Sequence, residues 1–177
     1  FGGYAISLYS KYMPKKIGHK LKKIADFDVL SKEPDVTAQI IKERLADVDI
    51  TNVSIKKREP VGEIVPVHYE VRVNTDTIAC IYKPIACHSY NVLNIKGEKI
   101  RVATIDTMLN FYLAFLYTNR QYFSEFKDRI LCMSQFLFDV QQKNRLAQKG
   151  LLRRFSINCY GHQERVEEIR SHKNEMD

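Results

Sequence analysis

Residues 26–31 of this 177-residue chain read Asp26-Phe27-Asp28-Val29-Leu30-Ser31, a stretch in which acidic and apolar side chains alternate. A period of two predicts a β-strand, because successive side chains of a strand point to opposite faces. Asp26 and Asp28 then share one face of the strand. Carboxylates at that separation suit divalent cations, since Mg²⁺ prefers oxygen ligands. The stretch therefore indicates a metal site or, on the plainer interpretation, a strand edge with two solvated acids.

A second signal lies at the start of the chain, which reads Phe1-Gly2-Gly3-Tyr4-Ala5-Ile6. A Gly-Gly pair that leads into a helix lets backbone N–H groups approach a phosphate, and the helix N-terminus favours negative charge. The alternative is an ordinary tight turn from strand to helix. Between the two motifs, the lysine-rich segment 11–23 predicts a basic loop that either contacts phosphates or is simply exposed.

The segments 1–6 and 26–31 resemble the metal-binding core of the DNA polymerase β-type nucleotidyltransferases. Within that group the chain resembles the poly(A) polymerases of large cytoplasmic DNA viruses, of the mimivirus, African swine fever virus and poxvirus type. Three further segments resemble the mimivirus-type branch: Ala86-Cys87-His88-Ser89-Tyr90-Asn91, Ile105-Asp106-Thr107-Met108 and Gly150-Leu151-Leu152-Arg153-Arg154-Phe155. The resemblance covers nearly the whole chain, and it implies an enzyme that adds AMP from ATP to RNA 3′ ends in viral mRNA polyadenylation.

The resemblance also implies roles for particular residues. Asp26 and Asp28 would hold two Mg²⁺ or Mn²⁺ ions, and Gly2 and Gly3 would face the triphosphate of ATP. One ion would activate the RNA 3′-hydroxyl, and the other would stabilise the departing pyrophosphate. The expected partners are the RNA 3′ end and ATP, with a homodimer or a processivity subunit as further options. The expected location is the host cytoplasm, the viral factory or the virion.

The sequence departs from the family pattern at the third acid, which belongs on the second strand of a hairpin beside the Asp-x-Asp strand. The equivalent stretch, Ile78-Ala79-Cys80-Ile81-Tyr82, has Cys80 at that position, and a thiol is a poor Mg²⁺ ligand. Glu70 has suitable apolar neighbours but lies on the first strand of the hairpin, and Asp76 lies in the turn. We expect the third ligand to be missing, with Glu70 as the alternative. This departure supports a second hypothesis, a non-catalytic nucleotidyltransferase-like module that binds RNA or a polymerase partner.

Composition limits the class of protein. Lys and Arg number 28 against 21 Asp and Glu, so the net charge is +7 and the pI is about 9.2, which favours polyanionic partners. No apolar run is long enough to span a membrane, and the N-terminus lacks the pattern of a signal peptide. We therefore expect a soluble, intracellular protein, and both ends suggest a piece of a longer chain.

The four cysteines are spread along the chain, so we expect them to be reduced, and Cys159-x-x-His162 is only a weak zinc motif.

Hydrophobic periodicity predicts strands and helices in the front half of the chain and a helical region behind them. The resemblance then implies an α+β fold, with a mixed nucleotidyltransferase sheet and flanking helices followed by that helical region. We expect a nucleotidyltransferase domain over residues 1–92, lacking its upstream part, and a mainly helical, incomplete domain over 93–177. Helices are predicted at 4–9, 34–46, 104–116 and 124–148, and strands at 26–31, 53–57, 65–73 and 77–83, with a hairpin at 95–100. The predicted buried residues are Val36, Ile40, Ile41 and Leu45 in the second helix, Ile105, Met108, Leu109, Tyr112, Phe115 and Leu116 in the third, and Ile130, Leu131, Phe136, Leu137, Phe138 and Val140 in the last.

Three side chains near the predicted site have open roles. Tyr82 or Tyr90 could stack on adenine, and His88 is either a structural residue or a general base.

Overall fold

The computed structural model describes residues 1–12, 27–118, 127–154 and 156–174. Asp26, almost all of the predicted basic loop and Phe155 lie outside the described residues. The helices are α1 (Gly2–Ser7), α2 (Pro34–Ala46), α3 (Ile105–Tyr117), α4 (Lys127–Lys143) and α5 (Val166–Asn174), with short 3-10 helices at Ser10–Tyr12 and Gly150–Leu152. The strands are β1 (Phe27–Leu30), β2 (Val53–Arg58), β3 (His68–Val73), β4 (Asp76–Tyr82), β5 (His88–Ile95), β6 (Glu98–Ala103) and β7 (Cys159–Tyr160).

The first sheet has the strand order β1-β4-β3-β2. β1 runs parallel to β4, and the other neighbours are antiparallel, so the sheet is mixed. α2 covers one face of the sheet over a small apolar cluster that contains Ala38, Val53, Val71, Ala79 and Ile81. The α+β architecture with a mixed sheet and flanking helices is therefore confirmed.

α2 begins and ends where the sequence predicts, but part of its predicted buried face is wrong. Val36 and Ile40 are 48% and 50% exposed. The helix packs instead through Pro34 and Ala38, together with Ile41 and Leu45. At roughly 100° per residue these four positions fall within an arc of about 60°, whereas Val36 and Ile40 point the opposite way. The small Ala38 sets the contact face, and its size concealed it from a search for large apolar residues.

A second sheet has the order β6-β5-β7. β5 and β6 form a hairpin across Lys96 and Gly97, which both have positive φ, as a tight turn with the twist of a hairpin requires.

β7 pairs with the start of β5 and is held there by a disulfide between Cys87 and Cys159. The expectation that all four cysteines are reduced is therefore wrong for this pair. The two residues are 72 positions apart, and only the β5–β7 pairing brings them together. Among the described residues there is no group of three or more His, Cys, Asp or Glu that could hold a metal ion, so the weak zinc motif finds no support there.

α3 and α4 pack together over the larger of two apolar clusters. Thr104 caps α3 as predicted, because its side chain accepts a hydrogen bond from the Thr107 backbone N–H. Tyr112, Phe115 and Phe136 are buried as predicted, but Leu131 and Phe138 are half-exposed on the outer side of α4. The prediction that Leu131 and Phe138 are buried is wrong. The apolar residues of α4 cover a wider part of its surface than the stripe that the helix buries.

The larger cluster joins α1 and β4 to the C-terminal helices, through residues such as Ile6, Tyr82, Met108 and Leu137. The predicted boundary between residues 92 and 93 falls inside β5, and the division into two domains stays a prediction. In the part of the chain that the structure describes, no helix is long and apolar enough to cross a membrane.

Candidate active site

The Gly2-Gly3 motif lies against Asp28 of the Asp-x-Asp motif, where the start of α1 meets β1. Gly2 has φ +79°, and a Cβ added there would overlap the carboxylate of Asp28. The backbone nitrogen of Phe1 also donates a hydrogen bond to the carbonyl oxygen of Asp28, at 2.7 Å. Only glycine allows this approach, since it has no side chain and adopts positive φ readily. Gly3 follows in α1 and is partly buried.

Strand register places three of the predicted acid and thiol side chains in one row across the first sheet. Asp28 on β1 is paired with Cys80 on β4, and Cys80 is paired with Glu70 on β3. Paired residues in neighbouring strands point to the same face. Cys80 therefore stands between the two carboxylates and is only 6% exposed, whereas Asp28 is partly exposed.

Glu70 is fully buried and is bound by two arginines. Arg58 donates to Oε1 and Oε2 at 2.7 and 3.2 Å, and Arg72 lies 2.7 Å from Oε2. Burial alone would raise the pKa of Glu70, but the two guanidinium groups outweigh it and hold that pKa below its usual value. Both carboxylate oxygens are thus engaged. Asp76 is exposed at the far end of β4, opposite Val73.

The donor set around Asp28 is chemically mixed. Carboxylate oxygens suit Mg²⁺ or Mn²⁺, whereas the neighbouring thiol of Cys80 does not. Asp26, the second predicted ligand, lies outside the described residues. The assignment of Asp26 and Asp28 as metal ligands stays a prediction, as does the assignment of Gly2 and Gly3 to the triphosphate.

Asp28 opens onto a cavity of about 320 Å³ between β1 and the second sheet. The pairing of β5 with β6 and β7 puts several of its lining side chains on one face of the second sheet; these are His88, Tyr90, Arg101, Ala103 and Tyr160. Phe1 and the β1 residues from Asp28 to Leu30 line the rest, together with Ser89.

The two tyrosines that were predicted to be near the site have different environments. Tyr82 is 3% exposed, and its ring stacks on His68 with centroids 4.5 Å apart, so it belongs to the core. Tyr90 lines the cavity, and the guanidinium of Arg101 lies over its ring at 5.4 Å from the centroid. Of these two predicted tyrosines, Tyr90 is the one placed to contact a ligand in this cavity.

His88 stands in the wall between this cavity and a second one of about 300 Å³. Its ring packs against Phe111 with centroids 5.1 Å apart, and burial lowers its pKa. Its Nε2 atom is buried and has no hydrogen-bond partner among the described residues.

Two lining residues, Arg101 and Tyr160, were not predicted from the sequence. Arg101 could have been found from the β5–β6 hairpin, whose register carries it to the face of Tyr90. Tyr160 has no such signal, because its position depends on the pairing of β7 with a strand about 70 residues earlier.

No protein-family model matches the sequence, and no curated protein matches it. Among solved structures, the chain is similar to the Megavirus polyadenylate synthase, with a TM-score of 0.66 and 11% sequence identity. The match covers 97% of this chain and 36% of the Megavirus chain, so this chain spans about a third of that protein. This similarity shows that the two chains share a fold.

Proposed function

We propose that this chain transfers AMP from ATP to RNA 3′ ends without a template, as in polyadenylation of viral mRNA. The observation that carries the proposal is the contact between Gly2 and Asp28, which joins the two motifs expected to bind triphosphate and metal. The fold shared with a viral polyadenylate synthase supports it. The proposed partners are the RNA 3′ end and ATP, with a homodimer or processivity subunit, in the host cytoplasm, the viral factory or the virion.

In this proposal, Asp26 and Asp28 hold Mg²⁺ or Mn²⁺ through their carboxylate oxygens. Such ions, when bound, lower the pKa of an attacking hydroxyl and neutralise charge on a leaving pyrophosphate. The backbone of Gly2 and Gly3 binds the triphosphate. Because Gly2 has no side chain, that backbone can lie against Asp28. The walls of the cavity orient the nucleotide and limit the access of water.

The test is extension of a labelled RNA with Mg²⁺ or Mn²⁺ and each of the four ribonucleotides in turn. We expect lengthening with ATP only. Asp26→Ala and Asp28→Ala should each abolish it while circular dichroism stays unchanged. Asp35→Ala, on the exposed first turn of α2, is the matched control and should behave as the unmodified chain. Normal tails from either variant would rule out the metal assignment.

The position of Cys80 favours a second candidate, a non-catalytic module that binds RNA or a polymerase partner. A thiol is paired with Asp28, and the acid on the other side of that thiol, Glu70, is bound by Arg58 and Arg72. On this hypothesis the same experiment gives no lengthening. RNA binding would persist and would weaken steeply with salt, because a basic chain releases counterions from the phosphates.

A further inference from the structure

We infer that the cavity beside Asp28 holds a single nucleobase, stacked on the Tyr90–Arg101 pair and hydrogen-bonded by His88. The inference deepens the proposed function and rests on it for the class of ligand, a nucleotide or an RNA end. It names residues of the second sheet that the predicted phosphate and metal sites do not include.

Tyr90 and Arg101 together form a stacking surface in the cavity wall. Cross-strand pairing puts both side chains on the face that lines the cavity. The guanidinium lies over the tyrosine ring, at 5.4 Å from its centroid. Aromatic rings and guanidinium planes are the surfaces on which proteins stack unpaired bases, and stacking tolerates any base.

His88, which lines the same cavity, supplies the hydrogen bond to the base. Its Nε2 is buried, yet it has no hydrogen-bond partner among the described residues. A buried polar atom without a partner is costly, so a ligand or water that reaches Nε2 from one of the two cavities that His88 lines would stabilise it. The lowered pKa of His88 keeps the imidazole neutral at pH 7, with one donor and one acceptor nitrogen, which suits the edge of a base.

The position and the size of the cavity both suit a single base. Asp28, where we place the phosphate chemistry, lines the same cavity as the two stacking residues. A volume of about 320 Å³ lies at the small end of ligand pockets, so the cavity suits one base and not an extended strand. The base belongs either to ATP or to the 3′-terminal nucleotide of RNA, and both present the same chemistry.

The test measures equilibrium binding of four probes without catalysis. These are ATP, ribose 5′-triphosphate without a base, an oligoadenylate, and the same oligonucleotide with an abasic 3′ terminus. The variants are Tyr90→Ala and Arg101→Ala. Their matched controls are Tyr117→Ala and Arg44→Ala, which replace strongly exposed residues.

If the base of ATP occupies the cavity, Tyr90→Ala and Arg101→Ala weaken ATP binding about tenfold or more. Binding of the base-free triphosphate should stay the same. If the RNA end occupies it, only the oligonucleotide with its terminal base loses affinity. Equal binding of base-containing and base-free probes by all variants would overturn the inference. AMP transfer by the unmodified chain would still stand in that case, whereas base-dependent binding without transfer would contradict only the proposed function.

His88→Phe separates hydrogen bonding from packing, because it keeps a ring against Phe111 and removes both nitrogens. The probe that fills the cavity, either the nucleoside triphosphate or the oligonucleotide 3′ end, is then measured with each of the four bases in turn. We expect the four dissociation constants of His88→Phe to be nearly equal. His162→Phe, which alters an exposed histidine, is the control. An unchanged preference among the bases in His88→Phe would remove His88 from the site.

Discussion

Gly2 shows how one missing side chain supports the proposed site. Its backbone has φ +79° and lies where a Cβ would overlap the Asp28 carboxylate. Gly97 has a similar φ of +89°, but open space surrounds its missing Cβ. A substitution at Gly97 therefore tests backbone strain alone, whereas a substitution at Gly2 tests backbone strain together with the close approach to Asp28.

We expect Gly97→Ala to lower the free energy of unfolding by about 1–2 kcal/mol, the cost of a left-handed alanine. Gly2→Ala should cost more than that and should abolish AMP transfer, because the carboxylate of Asp28 has to move. Denaturant unfolding and the RNA extension assay measure the two effects. Equal unfolding costs for the two variants would contradict a tight contact at Gly2.

Cys80 makes a second prediction at the scale of one residue. Cys80→Asp adds a buried carboxylate between Asp28 and Glu70, so we expect it to destabilise the protein by about 2–4 kcal/mol without divalent metal. Mg²⁺ should restore the melting temperature, and AMP transfer should exceed that of the unmodified chain. Cys80→Ser, which adds no charge, is the control. If the melting temperature of Cys80→Asp does not change when Mg²⁺ is added, this row of side chains does not bind the ion.

At the scale of the strands, the ion pair between Arg58 and Glu70 joins β2 to β3, and Arg72 binds the same carboxylate from within β3. Arg58→Ala would leave the fully buried carboxylate with Arg72 alone, and we expect a loss of about 3 kcal/mol in the free energy of unfolding. Arg44→Ala breaks an exposed pair with Asp47 and should cost less than about 0.5 kcal/mol. Similar losses in urea titrations of the two variants would mean that Glu70 is well solvated.

β3 also carries His68, whose ring is buried against Tyr82 and accordingly has a lowered pKa. A histidine with a lowered pKa binds its proton more readily in the unfolded chain, so stability is complete above about pH 6.5 and falls as the pH drops below it. Glu70 acts in the same direction, but only near and below its own usual pKa.

We expect His68→Phe to flatten the loss of stability between pH 6.5 and 5, measured by thermal unfolding. His88 also has a lowered pKa, so part of the slope should remain. His162→Phe, at an exposed position, should leave the profile unchanged. If stability falls more steeply between pH 6.5 and 5 in His68→Phe than in the unmodified chain, the predicted effect of His68 on stability has the wrong sign.

The elements that sequence predicted well are those with local signals. Pro34 marks the start of α2, Thr104 caps α3, and alternation identifies β1. Buried faces were less predictable, since Val36 and Ile40 are large and apolar yet point away from the sheet.

In the candidate site, the contact between Gly2 and Asp28 joins two motifs that could be recognised singly. Arg72 lies two residues after Glu70 on the same strand, so alternation could have placed them on one face. The positions of Arg58 and Tyr160 depend on strand pairing, which no local pattern encodes.

At the scale of the whole molecule, the disulfide between Cys87 and Cys159 closes a loop of about 72 residues. Chain entropy then predicts a stabilisation of about 4 kcal/mol relative to the reduced protein. We expect Cys87→Ser and reduction by dithiothreitol to lower the free energy of unfolding by that amount, without adding to each other. Cys132→Ser, at an exposed thiol, is the control. A Cys87→Ser variant that dithiothreitol destabilises further would contradict this pairing.

The same disulfide shortens the covalent path between residues that are far apart in sequence. The backbone becomes a ring that contains β6, α3 and α4, with one tail that carries the sheet of Asp28 and another that begins at Tyr160. Both tails leave the ring at the same point, so the path from β4 to Tyr160 crosses one sulfur–sulfur bond instead of two helices. A single backbone cut anywhere inside the ring leaves this path whole. The part of the cavity wall that Tyr160 supplies is thus tethered to the sheet of Asp28 independently of the helices that fold between them.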